Sequence, residues 1–113
     1  IARRQRQMCI RDSNKSITII ETDLQHSIDK QTIQYQRFIR HIQFLIYRLT
    51  KGEYLEAQEN FISMIKTMYP RSFNTAYKIL KMIQREFSVY VYEAEIVYLT
   101  LHINHFEVQI SSE

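Results

Sequence analysis

The chain has 113 residues, 45% of them hydrophobic and 24% charged, which is the balance of a single globular domain. It contains one glycine and one proline, where average usage gives roughly eight and roughly six, and this argues against a turn-rich β-sandwich or barrel. The single cysteine excludes an internal disulfide framework, and a net charge of +3 suggests at first sight a nucleic-acid-binding protein.

The positive charge belongs to residues 1–15. Four of the 15 basic residues, Arg3, Arg4, Arg6 and Arg11, lie in the first eleven positions, where there is no acid. The remaining eleven bases face 12 acids, so the rest of the chain has a net charge of −1. We interpret residues 1–15 as a linker to a neighbouring domain of a longer protein, since the chain begins with Ile. The alternative is a basic tail that positions nucleic acid.

Two helices are predicted next. The Asp12–Asn14 run can break or cap a helix, and apolar residues at spacings of three and four then predict a short first helix near residues 15–26, either confined to these residues or extended toward the N-terminus. The second helix is the longest, from about 30 to about 51. It ends before Gly52, which can supply the left-handed residue after a helix. Its apolar positions are Ile33, Phe38, Ile42, Leu45 and Leu49.

Three further helices complete the prediction. Residues 53–69 form one helix, or a short turn followed by a helix, which ends at Tyr69 because Pro70 disfavours helical geometry in the residue before it. Pro70 starts the fourth helix, Val89 to Val91 form a short extended link, and the fifth helix follows. We therefore expect an all-α, compact five-helix bundle over residues 16–108, with a frayed C-terminus at 109–113.

The four histidines are the residues that could carry chemistry. His41 and His102 each lie at the edge of an apolar stripe, where a partly buried, hydrogen-bonded histidine is the ordinary interpretation. His102 and His105 share a helix face, but no second cluster of Cys, Asp or Glu accompanies them, so no metal site is predicted. No nucleophile with a base and no Gly-rich phosphate loop is present, so we expect neither an enzyme nor a cofactor.

The contexts of two histidines resemble one known family. The segment from Arg37 to Ile42, continuing to Arg48-Leu49, resembles the first histidine segment of a PTS regulation domain, or PRD. The segment from Glu95 to Ile103 resembles the second, and Tyr69-Pro70 with the helix after it is similar to the family's middle helix. The run Tyr35–Phe38 before His41 is most similar to the second PRD of BglG/LicT/SacY-type transcriptional antiterminators.

This resemblance implies a helical domain that forms dimers and is phosphorylated on histidines by the sugar phosphotransferase system. By residue match it assigns His41 and His102 as phospho-acceptors, with the phosphocarrier HPr and/or a sugar-specific enzyme II as donors. Arg37 and Arg40 are the arginines placed to pair with the phosphate. The family often has Gly where Ser88 stands, so that turn is expected to differ.

The combined prediction is a cytoplasmic regulatory domain of a bacterial transcription antiterminator or another PRD-containing transcription regulator. It forms a homodimer, makes no direct contact with nucleic acid and does not insert into a membrane. The rival hypothesis is a basic helical nucleic-acid-binding domain that uses the Arg-rich N-terminus, with binding that depends strongly on salt.

Overall fold

The computed structural model describes residues 3–53, 59–89 and 94–111, with the backbone alone for 3–10 and for 111. Within these ranges all regular secondary structure is helical. The helices are α1 (Arg3–Leu24), α2 (Ile33–Thr50), α3 (Glu59–Met68), α4 (Pro70–Phe87) and α5 (Ala94–Ser111). The prediction of an all-α bundle with five helices is confirmed.

Helix α1 begins at Arg3, which agrees with the extension toward the N-terminus and not with a start near residue 15. At 22 residues α1 is longer than α2 with 18, so the prediction that the second helix is the longest was wrong. Arginine and glutamine are good helix formers, and they extend the helix through the polar segment. The Asp12–Asn14 run neither breaks nor caps α1. It lies inside the helix, where the Ser16 hydroxyl donates a 2.9 Å hydrogen bond to the carbonyl oxygen of Asp12. The linker role of residues 1–15 stays a prediction.

Helix α2 has a defined signal at each end. Thr32 caps its start by accepting a hydrogen bond from the backbone N–H three residues later. At its end Gly52 has a φ of +75°, as its position predicted. The N–H groups of Gly52 and Glu53 donate to the carbonyls of Leu49 and Arg48 at 3.2 and 2.9 Å, which closes a Schellman motif.

Helices α3 and α4 meet at Pro70, which is the first residue of α4 as predicted. Residues 54–58, which the sequence placed in a turn or in the start of the third helix, lie outside the described residues. Helix α4 ends at Phe87 and is followed by Ser88, whose φ of 52° and ψ of 45° are left-handed. The turn therefore keeps the left-handed geometry although Ser stands at this position.

The last segment of the chain consists of the link after α4 and of helix α5. Of the predicted extended link at 89–91, only Val89 lies in the described residues. Helix α5 runs to Ser111, so it includes the first part of the segment predicted to fray, and residues 112–113 lie outside the described part. None of the described helices has a stretch long and apolar enough to span a bilayer.

The core is built from the apolar faces of all the helices. Helix α4 packs against α1, α3 and α5, while α2 packs against α1 and α5. The fully buried rings of Phe38 on α2 and Phe106 on α5 meet edge to face, with centroids 5.6 Å apart. His41 is one turn after Phe38 and His102 is one turn before Phe106, so this contact brings both histidines to the α2–α5 interface.

Candidate functional site

The two histidines predicted as phospho-acceptors contact each other. The ring centroids of His41 and His102 are 4.5 Å apart, and the ring planes are tilted by 35°. Both side chains are partly buried between α2 and α5. Two segments far apart in the chain thus contribute one ring each to a single site.

The surroundings of this histidine pair favour the uncharged rings. Burial lowers the pKa of His41 to about 4, with further contributions from the nearby charges of His102 and Arg48. The pKa of His102 is also lowered, first by burial and then by His105 and Arg37. A neutral imidazole has one unprotonated ring nitrogen, which is a nucleophile at neutral pH. The Nε2 atom of His41 is buried and has no hydrogen-bond partner among the described residues.

A buried ion pair lies next to His41. The Nη2 atom of Arg48 on α2 is 2.9 and 2.7 Å from the two carboxylate oxygens of Glu95 on α5, and Glu95 is fully buried. Sequence reasoning missed this pair. Its signal was spacing, because Arg48 follows His41 by two helical turns and Glu95 precedes His102 by two, which places opposite charges on the faces that meet.

A surface pocket of about 550 Å³ opens beside His102, lined by Gln34, Arg37, His102, His105, Val108 and Gln109. The structure therefore brings the predicted Arg37 to His102. The other predicted arginine, Arg40, is exposed and is not among the lining residues. His105, to which the sequence assigned no role, has its ring centroid 6.5 Å from that of His102.

Two alternatives from the sequence, a metal site and a basic N-terminus that binds nucleic acid, concern other charged groups. The described residues contain no group of three or more His, Cys, Asp or Glu side chains that could hold a metal ion. Arg11, one of the four N-terminal arginines, pairs with Glu86 on α4 at 3.2 Å, and Lys15 binds the same carboxylate at 2.7 Å. The side chains of Arg3, Arg4 and Arg6 lie outside the described residues.

Comparisons with known proteins identify relatives of this sequence. The sequence pattern of the PRD domain matches residues 14–106. Proteins named GlcT from Staphylococcus aureus strains JH9, Newman and NCTC 8325 are each 61% identical over 97 residues, which is 86% of this chain. The match covers 34% of each relative, so the chain spans about a third of the length of these curated proteins.

Proposed function

Because this chain belongs to the PRD domain family, we propose that it is the regulatory domain of a bacterial transcription antiterminator, controlled by phosphorylation of His41 and His102. One observation carries the proposal: two separated histidine segments each place a ring in the same α2–α5 contact, with centroids 4.5 Å apart. Both rings are in surroundings that favour the neutral form, which supports their use as nucleophiles.

The proposed reaction is phosphoryl transfer from the phosphocarrier HPr and/or a sugar-specific enzyme II. The bond between phosphorus and the donor side chain breaks as a P–N bond forms to the unprotonated nitrogen of the acceptor ring. The acceptor keeps the proton on its other ring nitrogen, and the electron pair of the broken bond stays on the donor side chain. The domain accepts the group and is not itself an enzyme.

The added group changes the electrostatics of the α2–α5 interface. A phosphoryl group brings roughly 1.5 to 2 negative charges, by analogy with hydroxyl phosphates. Placing that charge beside His41 and His102 changes the electrostatic interactions between α2 and α5. It also changes the charge of any surface that these helices present to a second copy. We therefore propose that phosphorylation controls homodimerisation of a cytoplasmic regulator, whose own contact with nucleic acid lies outside this domain.

The proposal is tested by phosphorylation with HPr, the kinase that charges it, and phosphoenolpyruvate. We expect acid-labile phosphate on His41, His102 or both, measured by site-resolved mass spectrometry, with a change in sedimentation that reports the oligomeric state. His26→Ala serves as the control, because His26 is exposed and distant in sequence from both histidine segments. If neither His41→Ala nor His102→Ala reduces incorporation, the proposal is wrong.

A further inference from the structure

The pocket beside His102 has the composition of an anion site. It combines the guanidinium of Arg37, the amides of Gln34 and Gln109 and the ring of His105, and no carboxylate is among its lining residues. Each of these groups can donate a hydrogen bond, and the guanidinium adds a permanent positive charge. Such a lining favours a small anion with several acceptor oxygens.

Arg37 is available to bind such an anion. Among the described residues no carboxylate forms an ion pair with Arg37, whereas Arg48, on the same helix, is held by Glu95 at 2.7 Å. The charge of Arg37 also contributes to the lowered pKa of His102, which places its field at that ring. No described carboxylate therefore neutralises the positive charge in this pocket.

His105 is the second ring in this pocket. It follows His102 by one turn of α5, with ring centroids 6.5 Å apart and ring planes inclined by 63°. Both rings line the pocket, so a tetrahedral group on the His102 ring that enters the pocket has His105 as a neighbour. His105 is exposed, so its ring nitrogens can reach such a group without disturbing the core.

We propose that Arg37 and His105 bind the oxygens of a phosphoryl group carried by His102. This inference rests on the proposed role of His102 as an acceptor and adds the residues that hold the group in place. Hydrogen bonds in which one partner is ionised are shorter and stronger than neutral ones, so both side chains stabilise the incoming and the bound anionic group. Arg40, which is outside the pocket lining, has no part in this site.

Potassium phosphoramidate tests this site without any partner protein. Its P–N bond breaks as a P–N bond forms to the ring nitrogen of His102, ammonia leaves, and the ring keeps the proton on its other nitrogen. We expect Arg37→Gln and His105→Gln each to slow labelling of His102 by about tenfold or more, as loss of a charge-assisted hydrogen bond implies. Arg37→Lys restores part of the rate, and the ³¹P chemical shift of phosphorylated His102 moves in both Gln variants.

The controls are Arg85→Gln and His26→Gln, which remove an exposed charge and an exposed ring outside the pocket and leave the rate unchanged. Wild-type rates in both pocket variants, or no labelling of His102 in the wild-type chain, would overturn the inference. Failure of the proposed function has a different signature, because labelling by HPr is then absent while phosphoramidate labelling still depends on Arg37 and His105.

Discussion

At the scale of single residues, the burial of His41 has a consequence for stability. The folded chain holds the pKa of this ring at about 4, whereas an unfolded chain restores a value near 6.5. Between these two values the unfolded state binds the proton and the folded state does not. The free energy of unfolding therefore falls as the pH drops from about 6.5 to about 4.

We expect His41 to account for a loss of about 3 kcal/mol over this window, since each pKa unit corresponds to about 1.4 kcal/mol. The measurement is urea denaturation of the wild-type chain and of His41→Gln at several pH values. The variant should lose most of the slope and keep only the smaller part that comes from His102. His26→Gln, which changes an exposed ring, should leave the slope intact, and an unchanged slope in His41→Gln would contradict the assignment.

The two histidines of the proposed site could be singled out from the sequence, but not all of their neighbours. His41 and His102 stand in segments whose residue order resembles the family, so local sequence was sufficient. The neighbours of each ring depend on how α2 packs against α5, which no local pattern encodes. Spacing alone put His105 on the face of His102, whereas the pairing of Arg48 with Glu95 across the two helices required the folded chain.

At the scale of the elements, boundaries with a stereochemical cause were predicted well. Gly52 supplies a positive φ after α2, because it has no Cβ to oppose that conformation. Pro70 fits the first turn of α4 and not the interior of a helix, because it lacks a backbone N–H. The sequence alone does not decide between a start of α1 near residue 15 and an extension toward the N-terminus, because Asp12 to Asn14 favour caps and turns in isolation. In the folded domain these residues lie within α1, and Asp12 and Ser13 are buried, so tertiary packing overrides the local preference.

Ser88 provides a prediction at this scale. Its left-handed φ of 52° costs a residue with a Cβ about 1–2 kcal/mol of folding free energy. Gly avoids this cost, but its greater conformational freedom in the unfolded chain offsets part of the gain. We expect Ser88→Gly to raise the free energy of unfolding by about 0.5–1 kcal/mol, measured by urea denaturation.

The matched control is Ser63→Gly, the same substitution at an exposed position inside α3. There Gly weakens an ordinary helical residue, so we expect a loss of about 0.5 kcal/mol. A loss of stability in both variants would show that the left-handed turn at Ser88 is not strained.

At the scale of the whole molecule, the pair between Arg48 and Glu95 joins α2 to the last helix. The carboxylate is fully buried, so it depends on the guanidinium for its only described charge partner. We expect Arg48→Met to lower the free energy of unfolding by about 3–5 kcal/mol, because an uncompensated charge remains in the interior. Adding Glu95→Met should recover much of that loss, as chemical denaturation can measure.

The comparison for this prediction is Lys78→Met, which removes the partner of Asp23 from an ion pair in which Lys78 is half exposed. That variant should lose at most about 1 kcal/mol, since water screens the remaining charge. Equal effects of Arg48→Met and Lys78→Met would mean that the Arg48–Glu95 pair contributes no more than a surface contact.

The ring contact between His41 and His102 also determines what kind of signal the domain can carry. The rings are 4.5 Å apart, so a group added to either one enters the same junction of α2 and α5. Under the proposed function the two acceptors are therefore not independent, because a phosphoryl group on one ring changes the charge and the space at the other.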